Sequence, residues 1–538
     1  MKFYRSKTVL SFLISASIIL LSYFVFHWQY EEMDDVLMMM AASGFYTGTP
    51  DFHLVYISPL WGLLVQKLYM INENFDWYSF LLIAVHWISA ATLLRILLGS
   101  FNWLTSLGIW SIWFFGFQLY VLMQLQFTTT AAVAGAAAIA CFIAKPDHIK
   151  AFLAGSFLLF ICALIRYQVF QICVFAFIPF LVFQFYHFRL KRSFLFPFLG
   201  FSIGLLTFFS VSLNWGYSSD WSDFQKLSKE RNALIDNIGF LTTPVPQFNL
   251  EEINYTANDL NLLRAFISDD SLRVNHQTLA HLKSNLMPSP TANWAFAFKN
   301  VLTKGFNVFF IIFLSIGLIL FNKENKFKLI LACIFIALGF AYVVQTGSFL
   351  KLRVVNAGFL ILVAIIIAQL SLTKLKTPYF SYGILIVAAL FIGLKTKSAL
   401  ALSKKIKFEN ESFNQQFFML NPLNLSIIDL GYSLNINRIT PLNNNIQKSF
   451  GKNYYNTSWY AQSPVQKACL SKLGVKKVDE LFINEKALLV YNERSFSSNL
   501  FVNKIEQDWG IKMVVDTLKK LNNETIVVKL TKQTNAKN

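Results

Sequence analysis

Long, almost uncharged runs, most of them about the length a helix needs to cross a bilayer, make up over a third of this chain and leave it few folds to choose from. They fall at about 8–26, 77–98, 104–121, 127–144, 149–165, 169–186, 194–213, 308–321, 329–344, 354–370 and 379–394. In hydrocarbon every backbone N–H and C=O has to be bonded within its own segment, and an α-helix of roughly 20 apolar residues does that across about 30 Å. With 55% hydrophobic and 14% charged residues in 538 and a mean hydropathy of +0.48, the chain carries more apolar surface than one soluble core can hide. The fold class read is an α-helical polytopic membrane protein of about 11 transmembrane helices with a small soluble C-terminal α/β domain.

The formal charge of +18 does not point to nucleic acid, because Lys and Arg fall mainly in short loops and in the C-terminal tail. That pattern anchors a protein against anionic membrane lipids. Four of the five cysteines, Cys141, Cys162, Cys173 and Cys333, lie inside apolar segments, so neither a disulfide framework nor a cysteine metal site is expected.

Topology follows from the basic residues. Lys2, Arg5 and Lys7 precede the first run, which lacks a small-residue cleavage site and is read as an uncleaved span with a cytoplasmic N-terminus. The segment 53–70 decides the rest. If it lies at the outer interface, Arg95, Lys145, Lys150, Arg189, Lys191 and Arg192 all face the cytoplasm, and only Lys67 and Arg166 stay outside. If it crosses, every later loop reverses. Pro59, Gly62, Gln66 and Lys67 interrupt it while Trp61 and Tyr69 suit the headgroup level, so an interfacial helix is expected. The organisation read is a seven-span module over 1–214 with its first outer loop at 27–75, a large extracytoplasmic loop at 215–297, four spans over 298–396, and a soluble region at 397–538. Parity puts that last region outside, although Lys395, Lys397, Lys404, Lys405 and Lys407 crowd the end of the last span. Within it, the runs LSIIDL, LFIN, ALLVYN, KMVVDTL and TIVVKL read as strands, and SPVQKACLSKLG and SNLFVNKIEQDWG as helices.

Chemistry concentrates after the first span. Glu31, Glu32, Asp34 and Asp35 stand within five positions, followed by Asp51 and His53. Beside a bilayer, reduced dielectric raises a carboxylate's pKa and strengthens its hydrogen bonds, which suits a general base. A second reading stays open: the acids mark the end of a span, and Asp34 or Asp35 caps a short helix over 36–40.

A basic N-terminus, one span, an acidic pair in an outer loop (EEMDD), a small-residue turn (SGFYTGTPD) and an interface helix (HLVYISPLWGLLVQKLY) together resemble the GT-C superfamily of integral-membrane glycosyltransferases. The likeness is strongest over the first third and architectural beyond it. It implies a polyprenyl-phosphate-linked sugar as donor and a cell-envelope glycan or lipid as acceptor. It also implies an inverting hexosyl or pentosyl transfer on the outer face of a bacterial inner membrane, with an Asp or Glu of the first outer loop acting as base. Asp35 and Asp34 match that position, Asp35 favoured as base and Asp34 as its partner or a metal contact, with Glu31 and Glu32 behind them. The His-Pro-Pro of some relatives is absent, since Leu54 follows His53, and an interfacial, hydrogen-bonded histidine is the reading for that residue. The tryptophan-rich signature of oligosaccharyltransferases is absent as well.

Loss of a sugar from polyprenyl phosphate develops negative charge on the phosphate, so a positioned cation belongs near the outer face. Arg166, Arg353, Lys351 and Arg231 are the candidates. Each has a plainer role open to it: Arg166 snorkels, Lys351 and Arg353 anchor lipid, and Arg231 pairs with Asp236 on a solvated helix. Oxygen ligands such as Asp34, Asp220 and Asp223 leave a divalent cation (Mg or Mn) open. Two other classes compete: an envelope polysaccharide polymerase or ligase, which would need neither the acidic pair nor the C-terminal domain, and a flippase or transporter, which would carry ionisable groups at mid-membrane.

Overall fold

The computed structural model describes residues 2–144, 148–187, 217–286, 318–345, 350–372, 378–418, 425–429, 436–442, 454–456, 460–493, 498–521 and 525–533, with a few isolated positions. Seven helices among them are long and apolar enough to cross a bilayer. These are α1 (Lys2–Val25), α4 (Trp77–Ser100), α5 (Trp103–Trp113) continued through a π turn into α6 (Leu119–Met123), α7 (Phe127–Ala144), α14 (Lys323–Gln345), α15 (Leu352–Leu370) and α16 (Pro378–Phe418). Two shorter apolar helices, α8 (Ile149–Ile165) and α9 (Tyr167–His187), pack among them. The chain is a multi-pass membrane protein. The expected spans at 194–213 and 308–321 lie largely outside the described residues.

The bundle is built around α7. Every one of its residues is buried, and its alanines let α4, α8, α9 and α15 approach closely. The π turn at Phe114–Gln118 aims Gln118 inward, where its Nε2 donates to the His86 carbonyl at 2.8 Å while Trp113 Nε1 donates to its Oε1 at 2.9 Å.

Polar contacts separate the two ends of the bundle. At one, Lys7 Nζ donates to the Leu98 carbonyl (2.8 Å), Arg95 Nε to Thr8 Oγ1 (3.0 Å), Asn102 Nδ2 to Ser381 Oγ (3.0 Å) and Gln369 Nε2 to the Asn325 carbonyl (3.3 Å). At the other, Tyr460 Oη donates to the His53 carbonyl (3.1 Å), Leu442 N–H to Asp76 Oδ2 (3.0 Å) and Arg231 Nη1 to the Ala461 carbonyl (3.2 Å). The first loop, the polar region after residue 216 and the C-terminal region therefore share one end.

Two local features hold the first loop there. Strand β1 (Gln29–Tyr30) pairs in parallel with β2 (Gln124–Leu125), which pins the loop to the end of α6. The segment expected to lie flat forms α3 (Pro59–Ile71), whose 13 residues reach only about 20 Å, too short to cross. Ser58 starts α3, its Oγ accepting from Leu60 N–H, and Pro59 fills the first helical position where no N–H is needed.

The last helix corrects an expectation. Where a span ending near 394 was read, α16 continues to Phe418, and its 41 residues reach about 60 Å, twice the hydrocarbon thickness. Lys405 and Lys407 lie on that extension and approach Glu409 and Glu411, both pairs at 3.9 Å. Beyond it stands a five-stranded mixed sheet in the order β4-β3-β5-β7-β6: β3 (Ser426–Asp429), β4 (Tyr454–Asn456) and β5 (Ala487–Asn492) parallel, β6 (Met513–Lys520) and β7 (Thr525–Lys532) antiparallel. Helices α17 (Pro464–Lys472), α18 (Val478–Ile483) and α19 (Ser498–Trp509) accompany it. The run LFIN is not a strand. It ends α18, because Glu480 accepts from the Lys477 backbone at 3.1 Å and starts a helix that buries Val478, Leu481 and Phe482. Strand β4 was not anticipated, since three residues carry no alternation to read.

Gly62 sits where α3 meets the preceding turn, and a Cβ there would lie 1.9 Å from the Phe52 carbonyl oxygen. Gly62→Ala is expected to cost about 1–3 kcal/mol and to lower the unfolding temperature of the detergent-solubilised protein; an unchanged melting curve would contradict this docking of α3.

Candidate active site

The acidic stretch enters α2 (Met33–Ala42) through Glu32, which is extended and makes no side-chain cap. Asp34 and Asp35 follow in the first turn, where the helix dipole favours negative charge, but successive residues point about 100° apart. Their surroundings differ accordingly.

Asp35 is fully buried. Its Oδ1 accepts from Tyr78 Oη at 2.8 Å and from the Phe127 backbone N–H at 3.0 Å, so the carboxylate caps the start of α7 instead of its own helix. One oxygen thus ties α2 to the beginnings of α4 and α7. Burial pushes the Asp35 carboxyl well above the usual carboxylate range; Tyr78 and the Phe127 N–H pull it part of the way back, and the Asp34 charge adds to the rise. Its Oδ2 is buried and makes no hydrogen bond.

Asp34 keeps an open edge and faces Arg353, whose Nη2 lies 3.3 Å from its Oδ2 and whose Nη1 lies 3.5 Å from Glu32 Oε1. Arg353 sits in the first turn of α15, next to Lys351, which occupies the N-cap and reaches Asp236 Oδ2 at 3.0 Å. Arg166 ends α8. Its Nη1 donates to the Tyr56 carbonyl at 3.2 Å, and its guanidinium lies 5.5 Å from the Tyr56 ring centre and 5.2 Å from that of Phe127. Burial, and next the positive charge of Arg353, bring Arg166 down to about 10, which leaves it charged at neutral pH. Burial, then the neighbouring Glu32, push Glu31 up to about 7 against the pull of Arg353. Burial also raises Glu32, again opposed by Arg353.

Four acids (Glu31, Glu32, Asp34, Asp236) and three cations (Arg166, Lys351, Arg353) from distant parts of the chain therefore influence one another at the loop end of the bundle. Tyr56 belongs with them: Asn232 Nδ2 donates to its Oη at 3.1 Å, and burial followed by the Asp34 charge raises its phenol.

The remaining candidates stand elsewhere or in other roles. Arg231 is 1% exposed and bonds Ser268 Oγ at 2.9 Å and the Ala461 carbonyl. It does not make the surface pair with Asp236 that the sequence allowed, because Asp236 turns to Lys351. His53 is stacked 3.9 Å from Phe52 and 4.1 Å from Trp221, with Nδ1 held 2.6 Å from Asp51 Oδ1. Asp220 and Asp223 are exposed on α10 (Ser219–Ile235), which α11 (Ile238–Thr242), α12 (Ala257–Arg264) and α13 (His276–Ser284) follow. Among the described residues no three His, Cys, Asp or Glu side chains converge to hold a metal, and Asp34 is turned to Arg353.

Sequence reading passed over Tyr56, Tyr78, Asp76 and the site role of Asp236. Only Asp76 carried a local signal: DWYS is an N-cap pattern, and Asp76 Oδ1 accepts from Ser79 N–H at 3.0 Å to start α4.

No family model and no curated protein matches the chain. Two crystal structures of ArnT from Cupriavidus metallidurans are similar to it, one bound to undecaprenyl phosphate and one in the apo state. They align over 97% and 96% of this chain and 97% of each of theirs, at 10% and 9% identity and TM-scores of 0.41 and 0.40. Superposition at that level does not match individual side chains, so the site stands on its own geometry.

Removing the Asp35 acceptor strands the Tyr78 hydroxyl and the Phe127 N–H. Asp35→Ala is expected to cost about 2–4 kcal/mol of stability, and Asp35→Asn, which keeps an acceptor oxygen, little. Equal thermal unfolding of the two variants would contradict the junction.

Proposed function

We propose that this protein is an inverting membrane glycosyltransferase. It would move a hexosyl or pentosyl group from a polyprenyl-phosphate donor to a cell-envelope glycan or lipid on the outer face of a bacterial inner membrane. One observation carries the reading: Arg353, at the start of a span, lies between the carboxylates of Asp34 and Glu32 and near Arg166. A base for an acceptor hydroxyl and cations for a leaving phosphate thereby stand side by side at the mouth of the bundle, in the order of elements that resembles the GT-C enzymes. The basic loops support an outward-facing site.

In this reading the acceptor oxygen attacks the anomeric carbon as its proton passes to a carboxylate, and the bond to the phosphate oxygen breaks with inversion. Asp34 takes the part of base, since it has the open edge and the hydrogen-bonding neighbour. Asp35, favoured for that part from sequence, is enclosed and sets the position of α2. Charge developing on the phosphate is met by Arg353 and Arg166, with Lys351 beside them, and the low dielectric around buried guanidinium groups makes that contact strongest in the transition state. His53, held by Asp51 and Trp221, and Arg231, held by Ser268 and Ala461, take structural parts. Should a divalent cation take part, Asp34 and Glu32 are the oxygen ligands at hand.

Two tests follow. In cells lacking the gene, the lipid-linked sugar that accumulates, measured by mass spectrometry, identifies the donor. Asp34→Asn is expected to leave that accumulation in place, with transfer down by 10² or more, while Asp35→Asn clears it. The reverse pattern would return the role of base to Asp35, and two active variants would remove the reading. Glu31 supplies the second test. As it ionises near pH 7, negative charge gathers beside Arg353 and opposes a phosphate. KM for the donor is therefore expected to rise between pH 6 and pH 8 in the native enzyme and to stay flat in Glu31→Gln; equal pH profiles would exclude this role for Glu31.

A further inference from the structure

The polar region 217–286 docks on the C-terminal domain through an uneven set of charges. Neutral contacts define the junction: Gln462 Nε2 donates to the carbonyls of Ser268 and Val274, both at 2.9 Å, and Asn258 Nδ2 to that of Leu500 at 3.0 Å. Between them lies an ion network. Lys504, 2% exposed on α19, reaches Asp479 Oδ2 at 2.5 Å, Asp508 Oδ2 at 3.2 Å and Asp270 Oδ2 at 3.9 Å. Arg273 pairs with Asp259 and Asp508 and lies 3.4 Å from Asp270. Asp269 stands beside this set. Among the described residues, the carboxylates of Asp259, Asp269, Asp270 and Asp479, with Asp508 at the solvent edge, thus face Lys504 and Arg273 as cations, and buried oxygens of Asp269 and Asp479 make no hydrogen bond.

A buried surplus of like charge needs a counter-charge. The cavity at the centre, lined by Asp259, Asp269, Asp270 and Lys504 among others, is about 10 Å³, room for one water and not for a hydrated ion. No metal-holding group of three forms among the described residues. A proton is the counter-charge that fits.

We propose that this junction is a proton-responsive latch, in which uptake of one proton by the carboxylate cluster holds the region 217–286 against the C-terminal domain and its loss loosens them. Asp269 is the group placed to take the proton. Burial raises it, Lys504 opposes, and the charges of Asp479 and Asp270 raise it further, to about 6. Tyr455 on β4 also faces it, as does Tyr255 across the cavity. Because the docked state binds the proton more tightly than a free Asp with pKa 3.8, docking is favoured at low pH, weakens as pH rises to about 6, and is level above that. What the latch controls is α10. That helix reaches the acid and arginine cluster through Asn232 to Tyr56 at 3.1 Å and Asp236 to Lys351 at 3.0 Å. Gating of substrate entry rests on the site reading above; the docking equilibrium does not.

The full-length protein in nanodiscs, labelled at Asp223→Cys on α10 and Lys472→Cys on α17, reports docking by single-molecule energy transfer without any substrate. The ratio of undocked to docked molecules is expected to rise about tenfold from pH 5 to pH 7, and Asp269→Asn to stay docked with a flat profile. A pH-independent ratio in the otherwise native protein, or an equal slope in Asp269→Asn, would overturn the latch. Neither result bears on sugar transfer.

Discussion

A single buried carboxylate oxygen sets the geometry of the loop end. Asp35 Oδ1 holds the Tyr78 hydroxyl and the first N–H of α7 at once, and so locks a ten-residue helix onto two membrane spans. A helix that short has little stability of its own in water. What keeps α2 in place is this junction and the packing of its buried methionines, Met38, Met39 and Met40. The same lock decides where the neighbouring residue points. With Asp35 turned into the bundle, Asp34 turns about 100° away and meets Arg353.

The acid and arginine cluster holds opposite charges together in a partly dry setting. Arg353 sits between two carboxylates, Lys351 leans on Asp236, and Arg166 is packed over two aromatic rings. Each of these three cations has a counter-charge or a π face, which offsets the cost of holding it in low dielectric. Under the proposed function, a phosphate arriving there would exchange one anionic partner for another, and the freed carboxylate would then be available to take a proton.

Much of this was legible in the sequence, and the limits have physical causes. Seven of the spans, the short helix over 59–71 and the acidic entry to α2 are local features, fixed by hydropathy and by Pro, Ser and carboxylate placement within a few residues. The pairing of Asp34 with Arg353 spans more than three hundred positions, and a linear pattern carries no record of it. Asp34 and Asp35 read as near equivalents because both stand in one helical turn; only the location of Tyr78 and Phe127 separates a buried strut from an open acid. Arg231 was misread for a related reason: its helix looks solvated on composition, yet a second domain covers it. Helix α16 outran its expected end because apolar length marks where a span leaves the lipid, not where a helix stops.

The sharpest test is a structure of the protein in nanodiscs with a polyprenyl phosphate. The phosphate is expected within hydrogen-bonding reach of Arg353 and Arg166, with the first isoprene units leaving between the spans and Asp34 released toward the open side. A phosphate held elsewhere, with the contact between Arg353 and Asp34 undisturbed, would contradict sugar transfer at this site.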